Sequence, residues 1–159
     1  MFIKLQERIN KKDEGFTLIE LMVVVLIIAI LIAIAIPTFL GQRRRAQDRA
    51  AQSNLRNGLV VAKTFFTDNQ TYVGFDAAGD GEVIEPSLTW EDLAAVPAAA
   101  GTVGIVTASL TQSNVVLISR SASGTLWCIS ETSVANGGTG YGTAATADAA
   151  GYASIDTVA

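Results

Sequence analysis

Histidine is absent from this sequence, and cysteine occurs once, at Cys128. A histidine-based catalytic triad, a zinc site built from cysteine and histidine and a disulfide within one chain are therefore excluded. A single cysteine in an alternating apolar segment is typically a small buried side chain. No constellation of catalytic or ligating residues remains, so the sequence predicts a protein that is not an enzyme and has no cofactor or metal centre.

Positive charge is scarce in the second part of the chain. Beyond Lys63 there is one basic residue, Arg120, against ten acidic residues. An acidic surface repels polyanions, so this part does not favour nucleic acid as a partner. Most of the remaining basic residues lie on the two sides of an apolar segment, and the positive-inside rule therefore leaves its orientation undecided. These residues are Lys4, Arg8, Lys11 and Lys12 before the segment and Arg43, Arg44, Arg45 and Arg49 after it.

The apolar segment is long enough to cross a membrane. Every residue from 21 to 36 is apolar. Counted over 16–40, the segment has about 25 residues, or roughly 37 Å of helix, against a hydrocarbon core of about 30 Å. The sequence therefore predicts a membrane-embedded helix over residues 16–40.

Helical patterning continues beyond this segment. Pro37 removes one backbone hydrogen bond and Gly41 adds a second weak point, so a kink is expected there. Leu55, Leu59 and Ala62 then recur at helical spacing, which is typical of an amphipathic helix. We predict one long kinked helix over residues 16–66, membrane-embedded first and amphipathic second.

Residues 67–159 are expected to form a globular head. Glycine and proline interrupt residues 68–101, which predicts a loop with one short helical turn at 88–93. Three β-rich runs at 102–109, 114–121 and 125–131, separated by turn-forming residues, predict an antiparallel meander that covers the amphipathic half of the helix. Residues 132–154 are predicted to be irregular, with a further edge strand near the end. The fold class is α+β, a long helix packed against a small antiparallel sheet.

Glu20 does not fit a plain membrane anchor. A carboxylate inside a spanning helix costs roughly 2.5–3.5 kcal/mol, so it requires a partner. If the chain is cut before Phe16, the new α-amino group has a pKa near 8 and lies about one helical turn away. The residue would also lie in the first turn of the helix, where the helix dipole favours negative charge.

The octapeptide GFTLIELM at residues 15–22, followed by the apolar run and Pro37, resembles the class III signal of type IV prepilins, the N-methylphenylalanine family. The resemblance implies that residues 1–15 form a leader, which a prepilin peptidase removes between Gly15 and Phe16. It also implies N-methylation of Phe16. The conserved glutamate of the family corresponds to Glu20, which the resemblance implies attracts the terminal amine of an adjacent subunit during assembly.

As the resemblance implies, the chain is a structural subunit of a type IV pilus that serves adhesion, twitching motility or biofilm formation. Its partners would be further copies of itself, the prepilin peptidase, the pilus assembly machinery and the membrane. It would reside in the inner or cytoplasmic membrane before assembly and in an extracellular filament afterwards. Unlike many members of the family, this sequence has no C-terminal cysteine pair. The alternatives are a pseudopilin of a type II secretion system and a subunit of a DNA-uptake pilus.

Other motifs have competing interpretations. The sequence Ala33-Ile34-Ala35 matches the cleavage pattern of an ordinary signal peptide, which leaves Glu20 unexplained. The cluster at residues 43–45 fits DNA, lipid headgroups or neighbouring acidic groups. The acidic segment 76–82 resembles a calcium loop but lacks two of its ligand positions, which favours a solvated loop. Asn69-Gln70-Thr71 is a formal glycosylation sequon.

Overall fold

A computed structural model describes residues 15–93, 99–134 and 137–144. The chain divides into two compact units, one ending at Gly41 and the other beginning at Gln42. The predicted leader, apart from Gly15, and the C-terminal residues 145–159 lie outside the described residues. For residues 145–154 the irregular tail with a late edge strand therefore stays a prediction, whereas Thr139–Ala144 of the same predicted tail forms a strand instead.

The long N-terminal helix is confirmed. Helix α1 comprises Leu18–Asn69, so it continues three residues beyond the predicted end. It is helical through Pro37 and Gly41, where the bend stays a prediction. It ends because Gln70 adopts a left-handed conformation with φ of 56°, and its backbone N–H donates to the carbonyl of Phe66 at 2.7 Å.

The segment after α1 contains two short helical pieces that the sequence did not predict. A π-helical turn occupies Ala77–Gly81, and α2 occupies Glu82–Ile84. The carboxylate of Asp76 accepts a hydrogen bond from the backbone of Gly79 and so caps the π-helical turn. The side chain of Asp92 accepts a 3.0 Å bond from the backbone of Ala77 and ties this turn to the sheet.

The sheet has five strands in the order β1-β2-β3-β4-β5. Strands β2 to β5 form an antiparallel meander, as predicted for the first three of them. Strand β1 pairs with β2 in parallel, so the sheet is mixed rather than wholly antiparallel. The strand bounds are Trp90–Leu93 for β1, Val103–Val106 for β2, Asn114–Arg120 for β3, Leu126–Thr132 for β4 and Thr139–Ala144 for β5. A 3₁₀ turn over Thr107–Ser109 ends β2 earlier than expected.

Strand β1 corrects the prediction of a helical turn at 88–93. Its four residues are too few to show a period, and packing of Trp90 decides the conformation instead. The ring of Trp90 fits against two glycines: a Cβ added at Gly58 would lie 3.3 Å from it, and one added at Gly81 would lie 2.6 Å from it. The indole N–H donates to the carbonyl of Glu85 at 3.1 Å. Trp90 therefore holds β1 to α1 and to the π-helical turn.

The two faces of the sheet carry separate apolar clusters. One face packs on the second half of α1, where the predicted stripe residues Leu55, Leu59 and Ala62 are buried, as expected for helix on sheet. From β4, Ile129 and Trp127 lie on this face. The opposite face contains Cys128 and Leu126 together with Leu93, Val106, Val116 and Ile118. The sequence left open which side of β4 points inward. In the structure Trp127 and Ile129 face α1, and Leu126 and Cys128 face the opposite side.

One ion pair among the described residues joins α1 to the sheet. The ammonium of Lys63 lies 3.1 Å from a carboxylate oxygen of Glu131 on β4. The other oxygen of Glu131 accepts a hydrogen bond from the hydroxyl of Thr139 on β5. This carboxylate therefore connects α1, β4 and β5.

Candidate assembly site at the start of the helix

The predicted cleavage junction lies in non-helical chain just before α1. Residues 15–17 have no helical assignment, and a Cβ added at Gly15 would meet no atom within 4 Å. The side chain of Phe16 is 92% exposed. Because a peptidase must bind its substrate backbone in an open form, an accessible non-helical junction can serve as a cleavage site.

Thr17 and Glu20 form a capping box at the start of α1. The backbone N–H of Thr17 donates to Glu20 Oε2 at 2.8 Å, and the Thr17 hydroxyl donates to the same oxygen at 2.7 Å. In return, the backbone N–H of Glu20 donates to the Thr17 hydroxyl at 3.3 Å. Two backbone donors that a helix N-terminus leaves unpaired are thereby satisfied.

Thr17 of the same chain is thus the hydrogen-bond partner that the sequence predicts Glu20 to require. Sequence reasoning considered α-amino groups and overlooked Thr17. The spacing Thr-x-x-Glu directly before an apolar run is a recognised capping signal and could have indicated it. A hydrogen-bonded carboxylate in the first turn, near the positive end of the helix dipole, is less costly in lipid than an unpaired one.

The carboxylate of Glu20 keeps the capacity to bind a second group. Every hydrogen bond that the described residues make to it goes to Oε2. Oxygen Oε1 is therefore available as an acceptor for a cation from outside the chain. A protonated amine is such a group, and a hydrogen bond between an amine and a carboxylate is strengthened by both charges.

The surroundings of Glu20 are apolar and uncovered. The large apolar side chains of residues 18–40 are between 48% and 75% exposed. This part of α1 is long and apolar enough to cross a membrane, and its most apolar stretch is not buried within the chain. An apolar surface of this size requires lipid or other protein as cover.

The remaining predicted site residues lie elsewhere on α1. Pro37 and Gly41 are at the far end of the apolar segment, and a Cβ added at Gly41 would meet no atom within 4 Å. Within residues 15–93, 99–134 and 137–144, no group of three or more His, Cys, Asp or Glu side chains is arranged to hold a metal ion. The expectation that no metal is bound stays a prediction.

A family model described as the prokaryotic N-terminal methylation motif matches residues 10–36. The match contains the Gly15-Phe16 junction, Thr17 and Glu20 and most of the apolar segment. It therefore coincides with the site described above.

Curated proteins match a longer part of the chain. The chain is 46% identical over 68 residues to a type IV major pilin protein, PilA, of Myxococcus xanthus, covering 43% of this chain and 31% of that protein. It is 34% identical over 107 residues to the fimbrial protein EcpC of Eikenella corrodens, covering 67% of this chain and 69% of that protein. It is 35% identical over 80 residues to the type II secretion system core protein G of Vibrio cholerae, covering 48% of this chain and 53% of that protein.

The chain spans less than a third of the length of the Myxococcus relative and about half of the Vibrio relative. No solved structure matches the chain significantly.

Proposed function

The chain belongs to the type IV pilin family, and we propose that it is a structural subunit of a type IV pilus, stored in the membrane as a precursor and then polymerised. In this proposal the peptidase cuts between Gly15 and Phe16, Phe16 is N-methylated and Glu20 guides assembly. The subunit passes from the inner or cytoplasmic membrane into an extracellular filament. The role is structural, and no catalytic step is assigned to the chain.

The observation that carries this proposal is the pairing of an uncovered apolar half-helix with a single carboxylate at its start. The apolar surface can be covered by lipid before assembly and by identical helices afterwards. Packed apolar helices slide past one another readily, and a buried ion pair fixes their register. A head-to-tail contact that repeats without closing produces an open helical fibre. Oxygen Oε1 of Glu20 supplies one half of such an ion pair.

A second candidate is a pseudopilin of a type II secretion system, and the similarity to core protein G favours it. Both functions require the same leader, apolar helix and carboxylate. The chain covers about half of core protein G, whereas it covers 69% of the fimbrial protein of Eikenella corrodens. We therefore place the pilus first. Long surface filaments distinguish a pilus subunit from a pseudopilin, which acts in a short fibre inside the envelope.

The cleavage step is tested by substituting Gly15. We expect Gly15→Lys to leave uncut precursor in the membrane, because a long charged side chain does not fit a peptidase site that accepts glycine. Gly15→Ala is the matched control, because it changes the same position by one methyl group in open space. Immunoblotting of membranes and electron microscopy of cells measure the outcome. Filaments of normal number from Gly15→Lys would refute the assigned junction.

The assembly step is tested at Glu20. Glu20→Gln keeps the size of the side chain and its acceptor oxygen but removes the charge that attracts an amine. We expect the variant to be cut after Gly15 and to accumulate in the membrane, with at least tenfold fewer filaments, since a lost charged hydrogen bond is worth about 1.5–3 kcal/mol. Filaments of normal length and number would show that Glu20 does not guide assembly.

A further inference from the structure

Four arginines surround α1 at the beginning of the second unit. The side chains of Arg43, Arg44, Arg45 and Arg49 are exposed. Consecutive residues of a helix point about 100° apart, so this basic collar faces several directions at once. Among the described residues, none forms an ion pair with any of these four arginines. The nearest acidic residue in the sequence, Asp48, accepts a hydrogen bond from Ser123 of the β3–β4 turn.

A cluster of acidic residues lies elsewhere in the same unit. Asp76, Asp80, Glu82 and Glu85 occur within ten residues that contain no basic side chain. Glu82 is exposed, and the described residues offer it no side-chain hydrogen bond or ion pair. Beside it, the apolar side chain of Val83 is 72% exposed. This acidic segment, residues 76–85, therefore combines negative charge with an exposed apolar group.

Among the described residues, the two charged regions of one chain form no ion pair with each other. Trp90 lies against both Gly58 on α1 and Gly81, the residue before Glu82, so the acidic segment stands near the level of Gly58. At ~1.5 Å per residue, the part of α1 between Arg44 and Gly58 is about 20 Å long. An ion pair requires its atoms within about 4 Å, so the collar and the acidic segment are left to pair with other molecules.

We infer that the basic collar of one subunit binds the acidic segment of another copy of this chain. The collar directly follows the apolar segment in the sequence, and it therefore enters the filament interior or its border when that segment is packed. Arginines partly withdrawn from water without a counter-charge would destabilise the assembly. The acidic segment has the complementary charge, and electrostatic complementarity also fixes the register between subunits. This inference rests on the proposed function.

Disulfide trapping in the full-length chain tests the contact. We combine Glu82→Cys with Arg43→Cys, Arg44→Cys or Arg45→Cys in turn, so that the three introduced thiols sample the circumference of α1. A disulfide requires Cα atoms within about 7 Å, so a bond between these positions forms only between chains. Native Cys128 does not interfere, because it is buried and its burial raises the pKa of the thiol to about 11.

We expect filaments sheared from oxidised cells to give a ladder of covalent multimers on a non-reducing gel for at least one pair. The matched control replaces Glu82→Cys with Asp68→Cys, an exposed carboxylate at the far end of α1, and should give no ladder. Normal filaments without a ladder, or an equal ladder from the control, overturn the inference alone. A wild-type chain that forms no filaments overturns the proposed function together with it.

Charge reversal provides a second measurement that does not depend on cysteine. We expect Arg43→Glu/Arg44→Glu and Glu82→Arg/Glu85→Arg each to lower filament number by about tenfold or more, and their combination to restore most of it, because like charges repel and the swapped pair attracts. Failure of the combination to restore filaments overturns the contact. If the arginine variant alone also lowers retention of the precursor on membranes, the collar binds anionic lipid headgroups instead.

Discussion

Thr17 and Glu20 act as one unit at the scale of single residues. The capping box fixes the carboxylate at the start of α1 through Oε2 and leaves Oε1 without a hydrogen bond from the described residues. The same bonds define where the helix begins, so the position of the charge and the position of the helix end are set together. If assembly proceeds through Glu20 as proposed, it depends on a neighbour that has no charge of its own.

Removing the Thr17 hydroxyl should weaken assembly without abolishing it. Thr17→Val keeps the backbone N–H bond to Glu20 and loses both bonds of the hydroxyl. Loss of an N-cap side chain costs about 1 kcal/mol, so we expect roughly fivefold slower filament growth. Thr17→Ser restores the hydroxyl and should grow normally. Counting filaments after shearing and regrowth measures the effect, and normal growth of the valine variant would contradict the role given to the cap.

Asp48 should make the second unit sensitive to acid. Hydrogen bonds from the hydroxyls of Ser123 and Ser121 lower the pKa of this carboxyl in the folded chain. The stabilisation is therefore complete above the usual aspartate pKa, about pH 4, and is lost as the pH falls through the lower folded value. Solvent screening limits it to about 1 kcal/mol.

Thermal unfolding of the wild type and of Asp48→Asn at a series of pH values measures this contribution. We expect the variant to be less stable at neutral pH and the difference to shrink as the pH is lowered below about 4. A difference that stays constant across the acidic range would show that the charge of Asp48 does not hold the β3–β4 turn.

At the scale of elements, the sequence predicted those whose signal is local. The unbroken apolar run predicted α1, and alternating β-branched residues between turn residues predicted β2, β3 and β4. Strand β5, with sequence TGYGTA, has little strand propensity and forms by pairing with β4. Strand β1 depends on the contact of Trp90 with Gly58 and Gly81, which are distant in the sequence. Tertiary contacts of this kind leave no periodic pattern.

The site was predictable to a similar extent. The unusual position of Glu20 follows from the sequence, because a charge in an apolar run is conspicuous. The junction at Gly15-Phe16 comes from the resemblance to prepilins and stays a prediction. The capping role of Thr17 was readable from its spacing but was missed. The separation of the arginine collar from the acidic segment required the fold, since it depends on where Trp90 places residues 81–82 along α1.

The placement of Trp90 against Gly81 gives a prediction for β1. A methyl group at residue 81 would lie 2.6 Å from the Trp90 ring. The ring is rigid, so the side chain or the backbone would have to shift to relieve the clash. Overpacking of this kind costs about 1–3 kcal/mol, so Gly81→Ala should lower the melting temperature by several degrees. Gly138→Ala is the control, because a Cβ there meets no atom within 4 Å. Equal stability of the two variants would contradict the described packing of β1.

At the scale of the whole molecule, the two units have different requirements. The unit that begins at Gln42 contains the apolar clusters on both sheet faces, whereas the unit that ends at Gly41 exposes its apolar surface. The unit that begins at Gln42 can bury its own core, whereas the apolar surface of the unit that ends at Gly41 requires lipid or other subunits as cover. Folding and assembly are thus assigned to different parts of one chain.

A fragment of residues 42–159 should therefore be soluble and monomeric and should unfold in one cooperative transition. We expect its melting temperature to be unchanged by calcium or by a chelator, since a ligand stabilises only a state that binds it. Analytical ultracentrifugation and calorimetry test both statements, with the full-length chain in detergent as the control. A large upward shift with calcium would show that the fragment binds calcium and would contradict the prediction that the chain has no metal site.

The mass of the subunit in purified surface filaments tests the central claim most directly. Cells that express the chain are sheared, the filaments are collected, and the intact subunit is weighed by mass spectrometry. We expect the mass of residues 16–159 with one added methyl group on Phe16. A subunit that begins at residue 36, as the Ala33-Ile34-Ala35 pattern would give, or one that retains residues 1–15, would contradict it.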